Sequence, residues 1–277
     1  MKRIKLKATS NLKKLFCVIT ICLACNVVIG QQPFEGKIVY TQNTTSRGLY
    51  KIDSDIQGAS EEVAYITNDK FILFNVSTQL INFIDLKADA VYVACPPLKM
   101  AVKNSVSELI KNTEETLSKG GYLKKIAQWK DSVRIDGLTD GYPGINYTID
   151  TIFKVKGARY DITYKANEIC LINFLSPELY KAYTYFYGMP YYGHTSEIHQ
   201  DCPAPLLKSV RHQTRSVKSM EQMTPDASVF TIPSDMEVVT QKKFNKEYRK
   251  YVKKLNKTRE KNGTSVEYTV PDDIWDF

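Results

Sequence analysis

Alternating apolar and polar residues run through the first half of the chain and predict β-strands. Residues 34–42 (FEGKIVYTQ) place Phe34, Ile38 and Tyr40 on one face, the pattern of a strand with one buried side. Similar runs follow at short intervals, separated by turn-forming residues, and predict consecutive antiparallel hairpins. The strands predicted in this half are residues 34–42, 63–67, 70–76, 80–86, 91–95 and 98–102, with an irregular connection over residues 43–62.

Strand-like runs continue in the second half, where single turn residues set the predicted boundaries. Asn167 predicts a turn that divides residues 158–174 into two strands, and a break at residues 214–215 divides a later run in the same way. The strands predicted in this half are residues 145–154, 158–165, 168–174, 206–213, 216–223 and 226–233, with a loop over residues 189–205.

Helical spacing of apolar residues marks three segments, residues 105–118, 177–187 and 241–261. Ser105 or Ser107 caps the first helix, and Ser176 followed by Pro177 begins the second. The third carries one apolar stripe, which consists of Phe244, Tyr248, Tyr251, Val252 and Leu255. Because strands and helices do not alternate one for one, the pattern predicts an α+β protein with an antiparallel sheet.

An apolar run near the start of the chain determines the expected compartment. Residues 15–30 (LFCVITICLACNVVIG) follow six Lys/Arg residues and end in small residues, the pattern of a secretory signal peptide. We expect cleavage near Gly30 and export to the periplasm or cell envelope. Lipidation of Cys25 is the less favoured alternative, because Leu23 lies at the wrong offset for a lipoprotein signal. The expected organisation is a signal peptide (1–30), a β-rich domain (31–240) and a basic helix with an acidic tail (241–277).

Removing the signal peptide changes the charge balance. The whole chain has a net charge of +8, but residues 1–30 hold six Lys/Arg and no acid, so +2 remains. Residues 242–261 hold ten Lys/Arg against two Glu, and residues 262–277 hold four acids and no Lys/Arg. The body of the protein is therefore not basic, and we expect no nucleic-acid partner.

Three interpretations of the basic helix are open. Its cations can bind an anionic surface such as lipid head groups, or a protein partner. They can instead form the solvated side of a helix whose apolar stripe packs on the body. In the third interpretation the acidic tail folds back on them, anchored by Trp275 and Phe277. The residues assigned to a partner or membrane surface are Lys243, Lys246, Arg249, Lys250, Lys253 and Lys257.

Aromatic residues are concentrated around the second predicted helix. Leu179, Tyr183, Phe186 and Tyr187 share one face of it at helical spacing. One interpretation is a wall of a cleft that holds an acyl chain or a sugar face, and the other is ordinary core packing. The predicted ligand-binding residues are Leu179, Tyr183, Phe186, Tyr187, Met189, Tyr191 and Tyr192.

Residues that could carry catalysis or bind a metal are few. The one metal-like group is His194, Glu197, His199, Asp201 and Cys202, but HTSEIH matches no zinc signature, and a loop does not bring its two histidines together. The chain has three histidines and no GxSxG or phosphate-binding glycine pattern. We therefore expect neither an enzyme nor a bound metal or cofactor. A secreted hydrolase is the remaining enzymatic alternative, and it requires clustered carboxylates or histidines in a cleft.

Three cysteines remain after the signal peptide, Cys95, Cys170 and Cys202. An odd number allows at most one internal disulfide and leaves one thiol over. The pair considered is Cys170 with Cys202, and no CxxC spacing indicates redox or zinc chemistry.

Four segments carry a resemblance to a known group of proteins: FEGKIVYTQ, NDKFILFNVSTQLINFIDLKADAVYVACPP, YGMPYYG at residues 187–193 and DASVFTIPSDMEVV at residues 226–239. The chain resembles the secreted LolA-like proteins of Bacteroidetes, including the GLPGLI group. The resemblance implies a half-open antiparallel β-barrel covered by helices around an apolar cleft. Its best-known members carry lipoproteins or other lipids in the periplasm, and no catalytic residue transfers to this chain.

Two functions are therefore expected. The first is an exported, non-enzymatic protein that binds an apolar or amphipathic ligand, such as a lipid, in the cleft. The second is a structural or interaction protein of the envelope that acts through its basic C-terminal helix.

Overall fold

A computed structural model describes residues 32–47, 58–118, 132–135, 144–153, 162–171, 173–187, 192–202, 209–262 and 275. The strands are β1 (Gly36–Arg47), β2 (Gly58–Ile66), β3 (Lys70–Asn75), β4 (Leu80–Asp85), β5 (Ala90–Cys95), β6 (Met100–Asn104), β7 (Ser132–Ile135), β8 (Gly144–Phe153), β9 (Ile162–Leu171), β10 (Tyr192–Cys202), β11 (Ser209–Gln222) and β12 (Glu237–Val238). The helices are α1 (Val106–Ser118), α2 (Pro177–Tyr187) and α3 (Gln241–Asn262), with 3-10 turns at Pro96–Leu98 and Ala227–Phe230.

All the described strands belong to one sheet in the order β12-β6-β5-β4-β3-β2-β1-β11-β10-β9-β8-β7. Every pair is antiparallel except β12 with β6. Strand β1 lies between β2 and β11 and so joins the first meander to the second. Strands β12 and β7 lie at opposite edges, so the described sheet is open. The predicted α+β class and antiparallel sheet are confirmed.

One face of the sheet, here called the helical face, is covered by α1 and α2. Phe34, Ile38 and Tyr40 are buried on it, as the alternation predicts. The ring centroid of Phe71 on β3 lies 5.3 Å from that of Tyr183 on α2, edge to face. Burial of each such ring contributes about 1.5–3 kcal/mol, so this core holds α2 on the sheet.

The helix starts follow the predicted capping. The Ser176 hydroxyl accepts a hydrogen bond from the Leu179 amide at 3.3 Å, directly before α2. The Ser105 hydroxyl accepts one from the Glu108 amide at 3.1 Å before α1. Both predicted helices are confirmed. A side-chain cap joins residues three positions apart, so the local sequence is enough to predict it.

Helix α3 packs on the helical face near one edge of the sheet. Phe244 is buried against Cys95, Met100 and Val102 of β5 and β6. The Tyr248 hydroxyl donates a hydrogen bond to the Thr78 carbonyl at 3.4 Å. The predicted helix and its packed stripe are confirmed, and α3 is part of the same compact unit as the sheet.

A second core lies on the opposite face of the sheet, around Phe74 and Phe83. Phe230 of the 3-10 turn and Trp275 cover it, and the Trp275 indole nitrogen donates a hydrogen bond to the Val229 carbonyl at 2.9 Å. Trp275 therefore anchors the end of the chain, but on the face opposite to α3. Phe277 and the nearby acids lie outside the described residues.

Several predicted boundaries are wrong, and the errors share one cause. Asn167 lies inside β9 and Arg215 inside β11, where turns were predicted. Strand β10 occupies most of the predicted loop at residues 189–205. Strands β1 and β2 also extend into the predicted connection at 43–62. Polar residues are tolerated within a long strand where they are exposed, as Asn167 is, or paired, as Arg215 is, so polarity there does not mark a turn.

The predicted closing strand at residues 226–233 is also wrong, because it contains the 3-10 turn Ala227–Phe230. The Asp226 carboxylate accepts a hydrogen bond from the Ser228 amide at 2.8 Å and caps that turn. Residues 122–129 and most of the glycine-rich stretch at 137–144 lie outside the described residues.

Candidate functional site

Three charged residues from distant strands meet on the helical face, and we call Glu62, Glu168 and Arg215 the buried charge cluster. Glu168 on β9 is opposite Ser196 on β10, which in turn is opposite Arg215 on β11. Residues paired across neighbouring strands share a face, so Glu168 and Arg215 lie on the same side of the sheet. Glu62 on β2 is opposite Tyr40 and joins them from across β1.

Arg215 is the centre of this cluster. Its Nε lies 2.9 Å from Glu62 Oε2, and its Nη1 donates a hydrogen bond to the Gly193 carbonyl at 2.9 Å. Its Cζ lies 3.7 Å from the ring centroid of Tyr40, which is fully buried. The guanidinium is thus held by an ion pair, a carbonyl and an aromatic face, which compensates part of its desolvation.

Glu62 is bonded on both carboxylate oxygens. Oε2 meets Arg215, and Oε1 accepts a hydrogen bond from the Asn75 amide at 2.8 Å. The same Asn75 nitrogen donates to Gln42 Oε1 at 3.2 Å, and its oxygen accepts from the Ser77 hydroxyl at 2.8 Å. Each oxygen of the Glu62 carboxylate therefore has a polar neighbour within this network.

Glu168 differs from Glu62. The residue is 3% exposed, and within the described part of the chain its Oε2 has no hydrogen-bond partner. Burial raises the pKa of Glu168 to about 7, and the positive charge of Arg215 opposes that rise. The carboxyl group therefore exists in both protonation states near neutral pH. A buried polar group without a partner carries a free-energy cost that calls for a functional explanation.

The strand that binds Arg215 follows α2 in the chain. Gly193, whose carbonyl binds Arg215, is opposite Cys170 on β9, two residues from Glu168. Strand β10 begins at Tyr192, and α2 ends at Tyr187. Four residues of chain therefore separate the end of α2 from the strand whose Gly193 carbonyl binds Arg215.

The structure brings four of the predicted ligand-binding residues together. Leu179 and Tyr183 are buried in the core, and Phe186 and Tyr187 are half-buried at its margin. The ring centroids of Tyr183 and Tyr187 lie 4.5 Å apart, and those of Phe186 and Tyr187 lie 4.8 Å apart. Tyr192 begins β10, whereas Met189 and Tyr191 lie outside the described residues. Core packing thus accounts for Leu179 and Tyr183, whereas Phe186 and Tyr187 lie at the margin of the core.

The predicted surface cations all lie exposed on α3, on the side away from Phe244 and Val252. They are Lys243, Lys246, Arg249, Lys250, Lys253 and Lys257. Lys243 Nζ lies 2.8 Å from Glu237, and Lys250 Nζ lies 2.9 Å from Glu247.

The metal-like group belongs to β10 rather than to the predicted loop. Glu197 Oε1 lies 3.1 Å from Nε2 of His212 on β11, and the rings of His199 and His212 are 6.1 Å apart. Among the residues that the structure describes, no three His, Cys, Asp or Glu side chains form a group that could hold a metal ion. Sequence spacing missed His212 because it is a cross-strand neighbour.

The considered disulfide between Cys170 and Cys202 is not formed, since Cys170 is a free, buried thiol. Cys170 is opposite Gly193, nine residues before Cys202 on β10. At the rise of an extended strand this is about 30 Å, far beyond the reach of a disulfide. Cys95 is also free and buried. Burial raises the pKa of both thiols, that of Cys95 to about 12.

Sequence reasoning did not find the charge cluster. One local signal was present: in the run ANEIC, Glu168 alternates with Cys170, which places the acid on the buried face. Nothing local links Glu168 to Glu62 or Arg215, because β1 and β10 bring them together.

No protein-family model matches the chain, and no curated protein is significantly similar to it. Of the helices in the described part of the chain, none combines the length and apolar character that crossing a membrane requires. The contacts and charges on the helical face are therefore what indicates a function.

Proposed function

We propose that this protein is an exported, non-enzymatic binding protein that holds an amphipathic ligand on the helical face of a LolA-like half-barrel. The observation that carries the proposal is Glu168, a buried carboxyl group whose Oε2 has no hydrogen-bond partner in the described part of the chain. The open antiparallel sheet with helices on one face supports the half-barrel.

The apolar part of the ligand lies against the margin of the aromatic core, next to Phe186 and Tyr187. These side chains are half-buried, whereas Leu179 and Tyr183 already fill the space beneath α2. A short apolar chain can bind at the margin without displacing the helix.

The polar end of the ligand binds Glu168. The carboxyl group donates a hydrogen bond when protonated and accepts one when ionised, and its pKa of about 7 makes both forms accessible. Arg215 and Glu62 are already paired with each other, so they orient the site without offering a free charge. A hydroxyl or amine head group fits this arrangement better than an anionic one.

Three probes with one chain length test the proposal: dodecanol, dodecylamine and dodecanoate, titrated calorimetrically into the chain that starts at residue 31. We expect dodecanol and dodecylamine to bind at least tenfold more tightly than dodecanoate. Glu168→Gln removes the ionisable group and should weaken the binding of dodecylamine more than that of dodecanol.

Glu197→Gln is the matched control, because Glu197 is exposed and pairs with His212 away from the helical face. It should leave all three affinities unchanged. Failure of all three probes to bind, or equal effects of the two substitutions, would refute the proposal. Mass spectrometry of organic extracts from the purified protein then identifies the natural ligand.

A further inference from the structure

Helix α3 presents a continuous basic surface to solvent. Successive residues of an α-helix are rotated by about 100° around its axis. The described cations of α3 therefore occupy an arc of about 140°, on the side opposite the buried side chains of Phe244 and Val252. From Lys242 to Lys257 the arc extends about 22 Å along the helix axis. Six of these residues have no carboxylate within ion-pair distance in the described part of the chain: Lys242, Lys246, Arg249, Lys253, Lys254 and Lys257.

Stability of the helix does not explain this surface. Lys242 and Lys246, Arg249 and Lys253, and Lys253 and Lys257 are like-charge pairs at a spacing of four residues, which destabilises a helix. Packing of Phe244 and Tyr248 needs none of these charges. A surface that keeps them at this cost is expected to act on an external anion.

We propose that α3 docks the protein onto an anionic lipid surface. The basic arc consists of lysines with one arginine, and lysine is a point charge without the planar fork that suits specific phosphate recognition. No aromatic residue lies in the arc, since Tyr248 and Tyr251 pack on the sheet, so bases have nothing to stack on. The apolar stripe is buried against the sheet, so binding is electrostatic adsorption without insertion.

The charge of the rest of the chain favours one orientation. Residues 31–241 carry a net charge of −2, and the described cations of α3 are exposed on one side of the helix. An anionic surface therefore attracts α3 more strongly than the body of the chain. Because α3 and α2 lie on the same face of the sheet, docking brings the helical face toward the lipid. This inference rests on α3 alone and is independent of the ligand proposed above.

Vesicle flotation with the chain that starts at residue 31 tests the proposal. The vesicles are pure phosphatidylcholine or contain about a quarter phosphatidylglycerol, in about 50 mM and about 300 mM NaCl. We expect binding to the phosphatidylglycerol vesicles only, weakened at least tenfold by the higher salt. Replacing Lys246, Lys253 and Lys257 together by Gln should lower the partition coefficient about 100-fold.

The control replaces three exposed lysines elsewhere, Lys87, Lys111 and Lys165, by Gln. It removes the same charge and should change the partition coefficient less than twofold, while circular dichroism shows both variants folded. Equal losses in the two variants, equal binding to phosphatidylcholine, or no binding at low salt would overturn the proposal. So would tighter binding of duplex DNA or of an acidic protein than of the phosphatidylglycerol vesicles at the same salt.

Discussion

Arg215 and Glu62 form an ion pair of 2.9 Å that bridges the central strand β1, with Arg215 on β11 and Glu62 on β2. The guanidinium lies over the buried ring of Tyr40 on β1 itself. The pair thus ties together the N-terminal meander and the C-terminal meander on the helical face. Buried ion pairs contribute less to stability than their geometry suggests, but losing one partner is costly.

Arg215→Met should therefore destabilise the protein by about 3–5 kcal/mol at neutral pH, because Glu62 and Glu168 lose their compensating charge. The double variant Arg215→Met with Glu62→Met should recover most of that loss, since no unpaired Glu62 charge is then buried. Urea unfolding of the two single variants and the double variant measures the coupling. Additive losses would show that the pair does not act as a unit.

The pH dependence of stability should carry the signature of Glu168. Its pKa rises from 4.5 to about 7 on folding, so between these values the folded state binds more protons than the unfolded state. Stability therefore falls as the pH rises through this window and is level above it. The full shift corresponds to about 3 kcal/mol. Glu168→Gln should flatten this part of the profile and raise stability above about pH 7. An unchanged slope in that variant would contradict the prediction.

The aromatic packing of α2 should be sensitive at its centre and tolerant at its edge. Phe71→Ala removes the ring that Tyr183 and Tyr187 contact and should cost about 3–5 kcal/mol. Tyr185→Phe removes one hydroxyl that donates to Glu114 at 3.3 Å on the surface and should cost less than about 1 kcal/mol. Thermal and urea denaturation measure the free energy of unfolding of both variants. Similar losses would mean that α2 is not held through Phe71.

The C-terminal anchor should matter for stability. Trp275 is 8% exposed in the second core, so Trp275→Ala should cost about 3–5 kcal/mol. Val238 is 58% exposed, and Val238→Ala serves as a surface control that should change stability by less than about 0.5 kcal/mol. Trp275→Ala with wild-type stability would show that the core does not need this residue.

The two described thiols should be unreactive in the native protein. Cys95 and Cys170 are buried, and burial raises the pKa of each, so little reactive thiolate forms. Brief treatment with iodoacetamide followed by peptide mass spectrometry should find both unmodified in buffer and both alkylated in denaturant. A Cys170 peptide found disulfide-linked to Cys202 would contradict the strand register.

Local sequence determined the elements that depend on neighbouring residues. The hydroxyl of Ser176 caps α2, alternation buries Ile38 and Tyr40, and the spacing of Phe244 and Val252 defines the packed side of α3. Each follows from contacts within a few residues, whose geometry the period of a helix or strand dictates.

Tertiary structure decided which strands are continuous and which residues meet. Asn167 and Arg215 lie within strands because both neighbouring strands supply hydrogen bonds there, which for Asn167 outweighs the preference of asparagine for turns. The charge cluster depends on β1 lying between β2 and β11, a pairing between segments more than 150 residues apart. The alternation of Glu168 with Cys170 sets the face on which the acid lies, but the residues that desolvate its carboxyl group come from elsewhere in the chain.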